Sequence, residues 1–186
     1  PGNFTHNGGA VNFTGTGTVA ESTFHTLRNI SGTRTALGNL VVANSLVLTS
    51  GEFRPGPHTH QVAGNWNDAG VTFQPSSGTV VLTGANPSIT AAAGNYFYNL
   101  TLAGGGTLSS AVRVEGSLRI AGGTLSAGTH AITVEGDWDN SVGAAGFSGG
   151  TGSVAFADPA KTSRILGSTT FSTFTVALAD AGKVLQ

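Results

Sequence analysis

Two short segments of the sequence gather oxygen-bearing side chains around a tryptophan. They are Asn65-Trp66-Asn67-Asp68 and Asp137-Trp138-Asp139-Asn140. Carboxylate and amide oxygens at one turn are the ligands that Ca²⁺ prefers, so Asp137, Asp139 and Asn140 are the candidate ligands of a calcium site. A single turn supplies few ligands, however, and Asx side chains also close turns by bonding their own backbone. The pattern therefore favours structural turns over calcium binding, and it predicts no other cofactor.

The two tryptophans offer a second chemistry. An exposed indole can stack on a sugar ring, whereas a buried indole fills the core and donates its Nε1–H to an acceptor. Trp66 and Trp138 hold the same phase of a sequence repeat. We therefore predict that both are buried in equivalent environments, filling the same interior slot one repeat apart.

The histidines and acidic residues give little support for a metal pair or for catalysis. His58 and His60 are separated by one residue, which places both on one side of a strand, but no third ligand recurs at that spacing and His130 stands alone. We interpret these imidazoles as structural. The nine Asp and Glu residues are scattered over 186 positions. The sequence indicates a protein that is not an enzyme, with a polysaccharide lyase or hydrolase as the alternative.

The tryptophan segments belong to a repeat that runs the length of the chain. Trp138 follows Trp66 at an offset of 72 (138 − 66), and other positions recur at offsets of 69 to 74. Self-similarity at a fixed period is the signature of a repeat architecture. We predict one continuous array over residues 1–186, with copies at about 1–69, 70–141 and 142–186 and with loop insertions where the offset drifts. The recurring structural positions are Trp66 and Trp138, Phe73 and Phe147, Phe97 and Phe171, and Val80 and Val154.

Apolar residues alternate with period two, and glycines interrupt every helical window. Five predicted strands start on average about eighteen residues apart, which is close to one turn of a β-solenoid; they begin at Val80, Leu100, Leu118, Ile132 and Val154. Equivalent strands of successive turns then pair in parallel. The prediction is an all-β fold, a right-handed parallel β-helix (β-solenoid) with roughly 18–22 residues per coil and about four coils per sequence repeat.

Composition limits the partners of this chain. Only 9% of its residues are charged, eight Lys and Arg stand against nine Asp and Glu, and Cys and Met are absent. No basic run provides an electrostatic footprint for nucleic acid, and no apolar run approaches the ~20 residues of a membrane span. A cysteine-free, charge-poor repeat rich in Thr, Gly and Asn is typical of an exported protein. We expect an extracellular, cell-surface location and an outer surface wetted by hydroxyl and amide groups.

The repeat motifs resemble a known group of proteins. The runs Gly64-Asn65-Trp66-Asn67, Gly78-Thr79-Val80-Val81-Leu82 and Gly128-Thr129-His130-Ala131-Ile132 are similar to the ~70-residue repeats of large bacterial secreted and cell-surface parallel β-helix proteins, which are adhesin-like. The resemblance implies a structural or adhesive extracellular protein, a rod or filament subunit, with surface glycans as further partners. A carbohydrate-active β-helix enzyme or a glycan-binding module is the alternative.

Neither end of the sequence has the polar cap that repeat arrays normally need. An open coil is a template for another strand. We expect these ends to be covered by further repeats of the same chain or by a second copy stacked head to tail. The residues predicted at these junctions are Phe4 and Val11 at one end, and Phe174, Val176 and Leu185 at the other.

Overall fold

A computed structural model describes residues 6–158 and 160–176, which form 24 strands and one short 3₁₀ helix, Ala144–Gly146. Within these residues no helix is long and apolar enough to cross a membrane. In chain order the strands are β1 (Ala10–Phe13), β2 (Gly17–Val19), β3 (Ser22–Phe24), β4 (Thr26–Asn29), β5 (Thr33–Ala36), β6 (Leu40–Val42), β7 (Leu46–Leu48), β8 (Glu52–Gly56), β9 (Thr59–Val62), β10 (Trp66–Asn67), β11 (Thr72–Pro75), β12 (Thr79–Leu82), β13 (Ser88–Thr90), β14 (Asn99–Leu102), β15 (Gly106–Leu108), β16 (Val112–Val114), β17 (Leu118–Ile120), β18 (Leu125–Ser126), β19 (Ile132–Val134), β20 (Trp138–Asn140), β21 (Phe147–Ser148), β22 (Ser153–Phe156), β23 (Ile165–Leu166) and β24 (Thr173–Val176).

The strands wind into a parallel β-solenoid of about 8 turns, which confirms the predicted fold class. Successive strands take three faces in rotation. Face 1 is an eight-stranded sheet in the order β1-β4-β7-β10-β13-β15-β18-β21, and face 3 is a second one in the order β3-β6-β9-β12-β14-β17-β20-β23. Face 2 lies between them in each coil and is divided into two four-stranded sheets, β2-β5-β8-β11 and β16-β19-β22-β24.

The alternating residues of each strand account for the core. Parallel register stacks the inward residue of one coil on the inward residue of the next, as Val112 on Ile132 and Ile132 on Val154. These stacked side chains form one buried hydrophobic cluster that runs along the interior. Fully burying a Val, Leu, Ile or Phe side chain contributes about 1.5–3 kcal/mol, so repetition of this pattern stabilises each added coil.

One copy of the sequence repeat does not span a whole number of coils. Trp66 lies in β10 on face 1, whereas Trp138, one repeat later, lies in β20 on face 3. Eleven strand positions separate them: ten strands, β11 to β20, and the stretch at Phe97, which holds the second position of its coil through one isolated bridge to Val114. At three positions per coil, one repeat covers three and two-thirds coils, slightly fewer than the four predicted. The two tryptophans therefore occupy equivalent slots on different faces, and the prediction of the same slot is wrong.

The other recurring residues shift between faces in the same sense. Each copy of the repeat moves its residues back by one face, because eleven positions are one short of four complete coils. The pairs are Phe73 on face 2 and Phe147 on face 1, and Val80 on face 3 and Val154 on face 2, while Phe24, Phe97 and Phe171 lie in turn at the face 3, face 2 and face 1 positions.

Loop insertions explain the drift of the offset from 72 to 74. Four residues, 68–71, join β10 to β11, whereas six residues, 141–146, join β20 to β21. The longer connection contains the 3₁₀ helix Ala144–Gly146. The strands keep their places and the corner absorbs the extra residues, as the sequence predicted.

Hydroxyl and amide groups cover much of the outer surface. On face 1 a row of uncharged side chains runs along six successive coils. The Oδ1 atom of Asn65 accepts the Ser88 backbone N–H at 2.8 Å, and the hydroxyls of Ser88 and Ser109 are 2.8 Å apart. Such contacts tie each coil to the next outside the core as well as inside. The row consists of Ser45, Asn65, Ser88, Thr107, Ser126 and Ser148.

Face 2 is interrupted where the fifth coil crosses it. Strand β11 ends at Pro75, and the next strand of this face, β16, begins at Val112. Between them the chain makes a turn in which the Asn95 backbone N–H donates to the Ala92 carbonyl at 3.1 Å. An open groove lies at this gap, between β11 and the turn.

Candidate functional site

The predicted calcium ligands do not converge on one point. Asp139 forms an ion pair with Arg119 at 3.2 Å and accepts a hydrogen bond from the Ser141 hydroxyl. Asp137 accepts the Arg164 backbone N–H at 2.9 Å. Asn140 is buried and turned away from Asp139, because adjacent residues of a strand point to opposite sides. Each of the three side chains thus has its own local partner.

Each tryptophan packs in a cluster of three aromatic rings. The first cluster, termed unit I, consists of Trp66, Phe73 and Phe97, and unit II consists of Trp138, Phe147 and Phe171. The indole and the first phenylalanine meet edge to face in both, at 5.1 Å and 78° in unit I and at 4.9 Å and 85° in unit II. The two indoles are only 1% and 0% exposed, which confirms the predicted burial. Neither indole has a free face on which a sugar ring could stack.

A polar residue two positions after each tryptophan, Asp68 or Asn140, forms hydrogen bonds at the corner beside each unit. Asn140 donates from Nδ2 to the Gly143 carbonyl at 2.8 Å, to the Ser168 carbonyl at 2.9 Å and to Thr169 Oγ1 at 3.0 Å. Thr169 also accepts the Trp138 Nε1–H at 3.1 Å. Unit II is therefore anchored to the following coil by its polar groups as well as by its rings.

Asp68 takes the place of Asn140 beside unit I and is equally buried. Its Oδ1 accepts the Ala92 backbone N–H at 2.8 Å, while its Oδ2 and the Trp66 Nε1 have no hydrogen-bond partner in the described part of the chain. Burial raises the pKa of the Asp68 carboxyl, and the Ala92 amide, Asn95 and the nearby Trp66 indole offset that rise only in part. The sequence shows Asp68 but gives no sign that its carboxyl is buried.

Of the three histidines considered as metal ligands, His60 is buried, and His58 and His130 are partly exposed. His60 is buried; the Leu40 N–H donates to its Nδ1 at 3.1 Å, and its Nε2 donates to the Pro55 carbonyl at 2.9 Å. Burial lowers the pKa of His60. The rings of His58 and His60 are 6.3 Å apart, but both nitrogens of His60 are engaged by the backbone, and His130 lies in a separate coil. His60 therefore has the structural role predicted for it.

The residues predicted at the junctions lie in strands at the edges of their sheets. Val11 belongs to β1 on face 1 and packs against the core, and Phe174 and Val176 belong to β24 on face 2. The Phe174 side chain is 38% exposed and stacks on Phe171 at 4.9 Å. Phe4 and Leu185 lie outside the described residues.

An open depression lies at the gap in face 2 and is termed here the face-2 groove. It has a volume of about 760 Å³, and its walls include Arg54, Thr72, Gln74, Ser76 and Tyr96. Asn95 forms part of the floor: its Oδ1 accepts the Phe73 N–H at 3.1 Å and its Nδ2 donates to the Val71 carbonyl at 3.0 Å. The sequence reasoning missed this groove. Coil length gives no signal of it, because the step from Ile89 to its register partner Leu108, which spans the gap, is close to the step from Leu46 to Trp66.

A cluster of charged residues borders the groove. Arg113 pairs with Glu135 at 2.7 Å and with Glu115 at 3.0 Å, and its guanidinium carbon lies 5.0 Å from the centre of the Tyr96 ring. The pKa of Arg113 is raised mainly by the hydrogen bond to Glu135, and that of Tyr96 is raised by burial and then by the charge of Glu115. The cluster holds Tyr96 in place at the edge of the groove.

A buried arginine near the first coil is a further feature that the sequence did not predict. Arg34 has an inward position in β5, yet its Nη2 donates to the Gly15 carbonyl at 2.9 Å and its guanidinium lies 4.5 Å from the centre of the Phe13 ring. Gly17 faces it without a side chain, and a Cβ there would lie 2.5 Å from Arg34 Nη1. The glycine thus makes room for a charged side chain inside the solenoid.

Comparison with known proteins adds no assignment. No family model matches the sequence, and neither the curated proteins nor the solved structures contain a significant match.

Proposed function

We propose that this chain is a structural and adhesive extracellular protein that acts as a rigid solenoid rod. The supporting observation is that units I and II have nearly identical ring geometry although they lie on different faces. A repeat that rebuilds the same core cluster adds length without adding a new reactive centre. Stability in such arrays comes from each coil and its nearest neighbours, so length can grow by duplication.

Location and assembly form the second part of the proposal. The low charge, the absence of Cys and the resemblance to bacterial cell-surface repeats support a place outside the cell. Within the described residues, β24 pairs only with β22 and exposes Phe174. We propose that such an edge pairs with a further repeat or with a second copy of this chain, in a head-to-tail rod.

Insertion of one repeat tests the rod. A variant in which residues 70–141 are duplicated after residue 141 gains eleven strand positions, and at ~4.8 Å per coil it should lengthen the particle by about 18 Å with no change in width. Negative-stain electron microscopy and small-angle scattering measure both dimensions. A particle that widens, or that becomes a second compact body beside the first, would contradict the proposal.

Charge placed at the edge tests head-to-tail assembly. We expect Val176→Lys and Val11→Lys to shorten the particles, because a lysine buried without a partner at a junction costs several kcal/mol. Val41→Lys is the matched control, since Val41 is an exposed valine in β6, within the face 3 sheet. Sedimentation velocity at several protein concentrations gives the size distribution. Equal distributions for all three variants and the unmodified chain would show that these edges do not join.

A further inference from the structure

We propose that the face-2 groove binds a segment of acidic polysaccharide, with pyranose rings lying along its walls and a sugar carboxylate on Arg54. This activity goes beyond a structural role, because a rod needs no groove. The proposal rests on the shape of the gap, on the side chains that line it and on the rigidity of its floor.

The shape of the groove suits a linear chain rather than a small compact ligand. It is open to solvent, has a volume of about 760 Å³ and lies between β11 and the turn at Ala92 and Asn95. Volumes of roughly 300–1,000 Å³ are typical of ligand sites. An open trough of this volume can hold a short run of sugar rings of a longer chain.

Polar side chains with free hydrogen-bonding capacity line one wall. Thr35 pairs with Arg54 in the register of β5 and β8, and Gln74 lies in the adjoining strand β11, where the register shifts between Phe73 and Pro75. Within the described chain, the side chains of Thr35, Thr72, Gln74 and Ser76 make no hydrogen bond to another residue. Hydroxyl and amide groups left free in this way match the hydroxyls of a sugar.

Arg54 supplies the charge selectivity. Its Nε donates to Glu52 at 2.9 Å, which fixes the side chain and leaves the terminal amino groups without a partner among the described residues. Arg54 is the only ionisable Lys, Arg, Asp or Glu among the described residues that line the groove. A guanidinium in that position favours a carboxylate, which it can bind through two parallel hydrogen bonds.

Tyr96 supplies an apolar surface at the opposite wall. The Arg113 guanidinium covers the ring from the side of the charged cluster, and Pro75 adds a second small apolar surface within the groove. Aromatic rings with one polar end recur where a ligand has both apolar and polar faces, as a pyranose has. Tyr96 and Arg54 together therefore present the two kinds of contact that an acidic sugar requires.

The floor of the groove is preorganised. The Asn95 side chain bridges the Phe73 amide and the Val71 carbonyl, and Asp68 holds the Ala92 amide. A rigid site loses little conformational entropy on binding, so even a few contacts give measurable affinity. The scarcity of basic residues along the rest of this face makes a nucleic acid a poor occupant.

Calorimetry with two tetrasaccharides tests the assignment. The acidic probe is a tetramer of galacturonic acid, and the neutral probe is the matching tetramer of galactose. We expect the acidic probe to bind more tightly, and we expect Arg54→Gln to weaken it at least about tenfold while leaving the neutral probe unchanged. Tyr96→Ala should weaken both probes, because it removes the stacking surface common to them.

Arg119→Gln is the matched control. Arg119 also pairs through Nε with a carboxylate, at 3.2 Å, and its side chain is 54% exposed against 53% for Arg54, but it lies on face 3. This variant should bind both probes as the unmodified chain does, and circular dichroism should show that all variants keep their β structure. Three outcomes would overturn the proposal: no binding of either probe at millimolar concentration, equal affinity for the two probes, or the same loss in Arg119→Gln as in Arg54→Gln.

Discussion

Units I and II are two solutions to the same local packing problem, and they differ in their polar groups. The rings of the third member, Phe97 or Phe171, lie 5.1 and 5.2 Å from the indole, so the apolar part has nearly the same geometry in both. Around unit II the Trp138 Nε1–H and the Asn140 amide are bonded to Thr169. Around unit I the Trp66 Nε1 and one Asp68 oxygen have no partner within the described chain, whereas around unit II the Asn140 Oδ1 has none.

The difference separates what the repeat must keep from what it can vary. Ring packing is nearly the same in both units because each fills an equivalent slot of the interior. The polar corner differs because its partners come from the adjoining coil, where Asn95 stands beside unit I and Thr169 beside unit II. Unit I also borders the face-2 groove, so its less complete hydrogen bonding coincides with the place where the face 2 sheet is broken.

The largest effect should come from removing either indole. We expect Trp66→Ala and Trp138→Ala each to lower the free energy of unfolding by about 3–5 kcal/mol, since both leave a large cavity in a packed interior. Urea denaturation followed by circular dichroism measures the loss. If one substitution cost less than about 1 kcal/mol, the units would not be equivalent elements of the core.

Exchange of the polar residues should lower the free energy of unfolding when it is made beside unit II and raise it when it is made beside unit I. Asn140→Asp would place carboxylate oxygens against the Gly143 and Ser168 carbonyls, and we expect a loss of about 2–3 kcal/mol at pH 7. Asp68→Asn keeps the acceptor for the Ala92 amide and removes a buried charge, and we expect a gain of about 1 kcal/mol. Thermal unfolding of both variants beside the unmodified chain decides the sign.

The gain in Asp68→Asn should depend on pH. The pKa of Asp68 in the folded state is raised above its ordinary value of 3.8. The protonated carboxyl therefore makes its full contribution to stability when the pH is below 3.8. Its contribution is lost as pH rises through the raised folded pKa. The two proteins should therefore converge in stability towards pH 3.8 and diverge above it. A difference that stays constant across that range would show that the Asp68 charge is not the cause.

The smallest expected effect is the difference in stability between variants that remove one or the other indole N–H group. Trp66→Phe and Trp138→Phe remove the same volume, but only the second breaks a hydrogen bond, the one to Thr169. We expect Trp138→Phe to be the more destabilising by about 1 kcal/mol in urea denaturation. Thr169→Ser keeps the hydroxyl and serves as the control. Equal losses in the two phenylalanine variants would mean that the Trp138 hydrogen bond adds nothing net to stability.

The sequence was sufficient to predict the strands, the parallel stacking and the burial of both tryptophans. Period-two alternation at positions such as Val112 and Val114 indicates directly which side of a strand is buried. The structure therefore keeps the pattern that the sequence predicts. The loop insertion before Phe147 could also be predicted. When the offset between repeat copies changes from one recurring strand to the next, the extra residues must lie in the loop that joins the two strands.

The site could not be predicted, because it depends on where strands are missing. Nothing in the spacing around Ala92 and Asn95 says that this coil lacks its face 2 strand, and the groove exists only through that gap. The assumption of about four coils per repeat likewise led to the prediction that Trp66 and Trp138 fill the same interior slot. Counting residues cannot distinguish eleven strand positions from twelve when corners differ in length, whereas hydrogen-bond register can.

The mismatch between repeat and coil gives the molecule a threefold screw relation between its copies. After three full copies, thirty-three strand positions would make eleven whole coils, and the pattern would return to its starting direction. Any outward side chain encoded once in the repeat would then point in three directions spaced around the axis. A chain built from several such copies would present the same chemical group on all sides, so contact with a partner would not depend on how the rod happens to be turned.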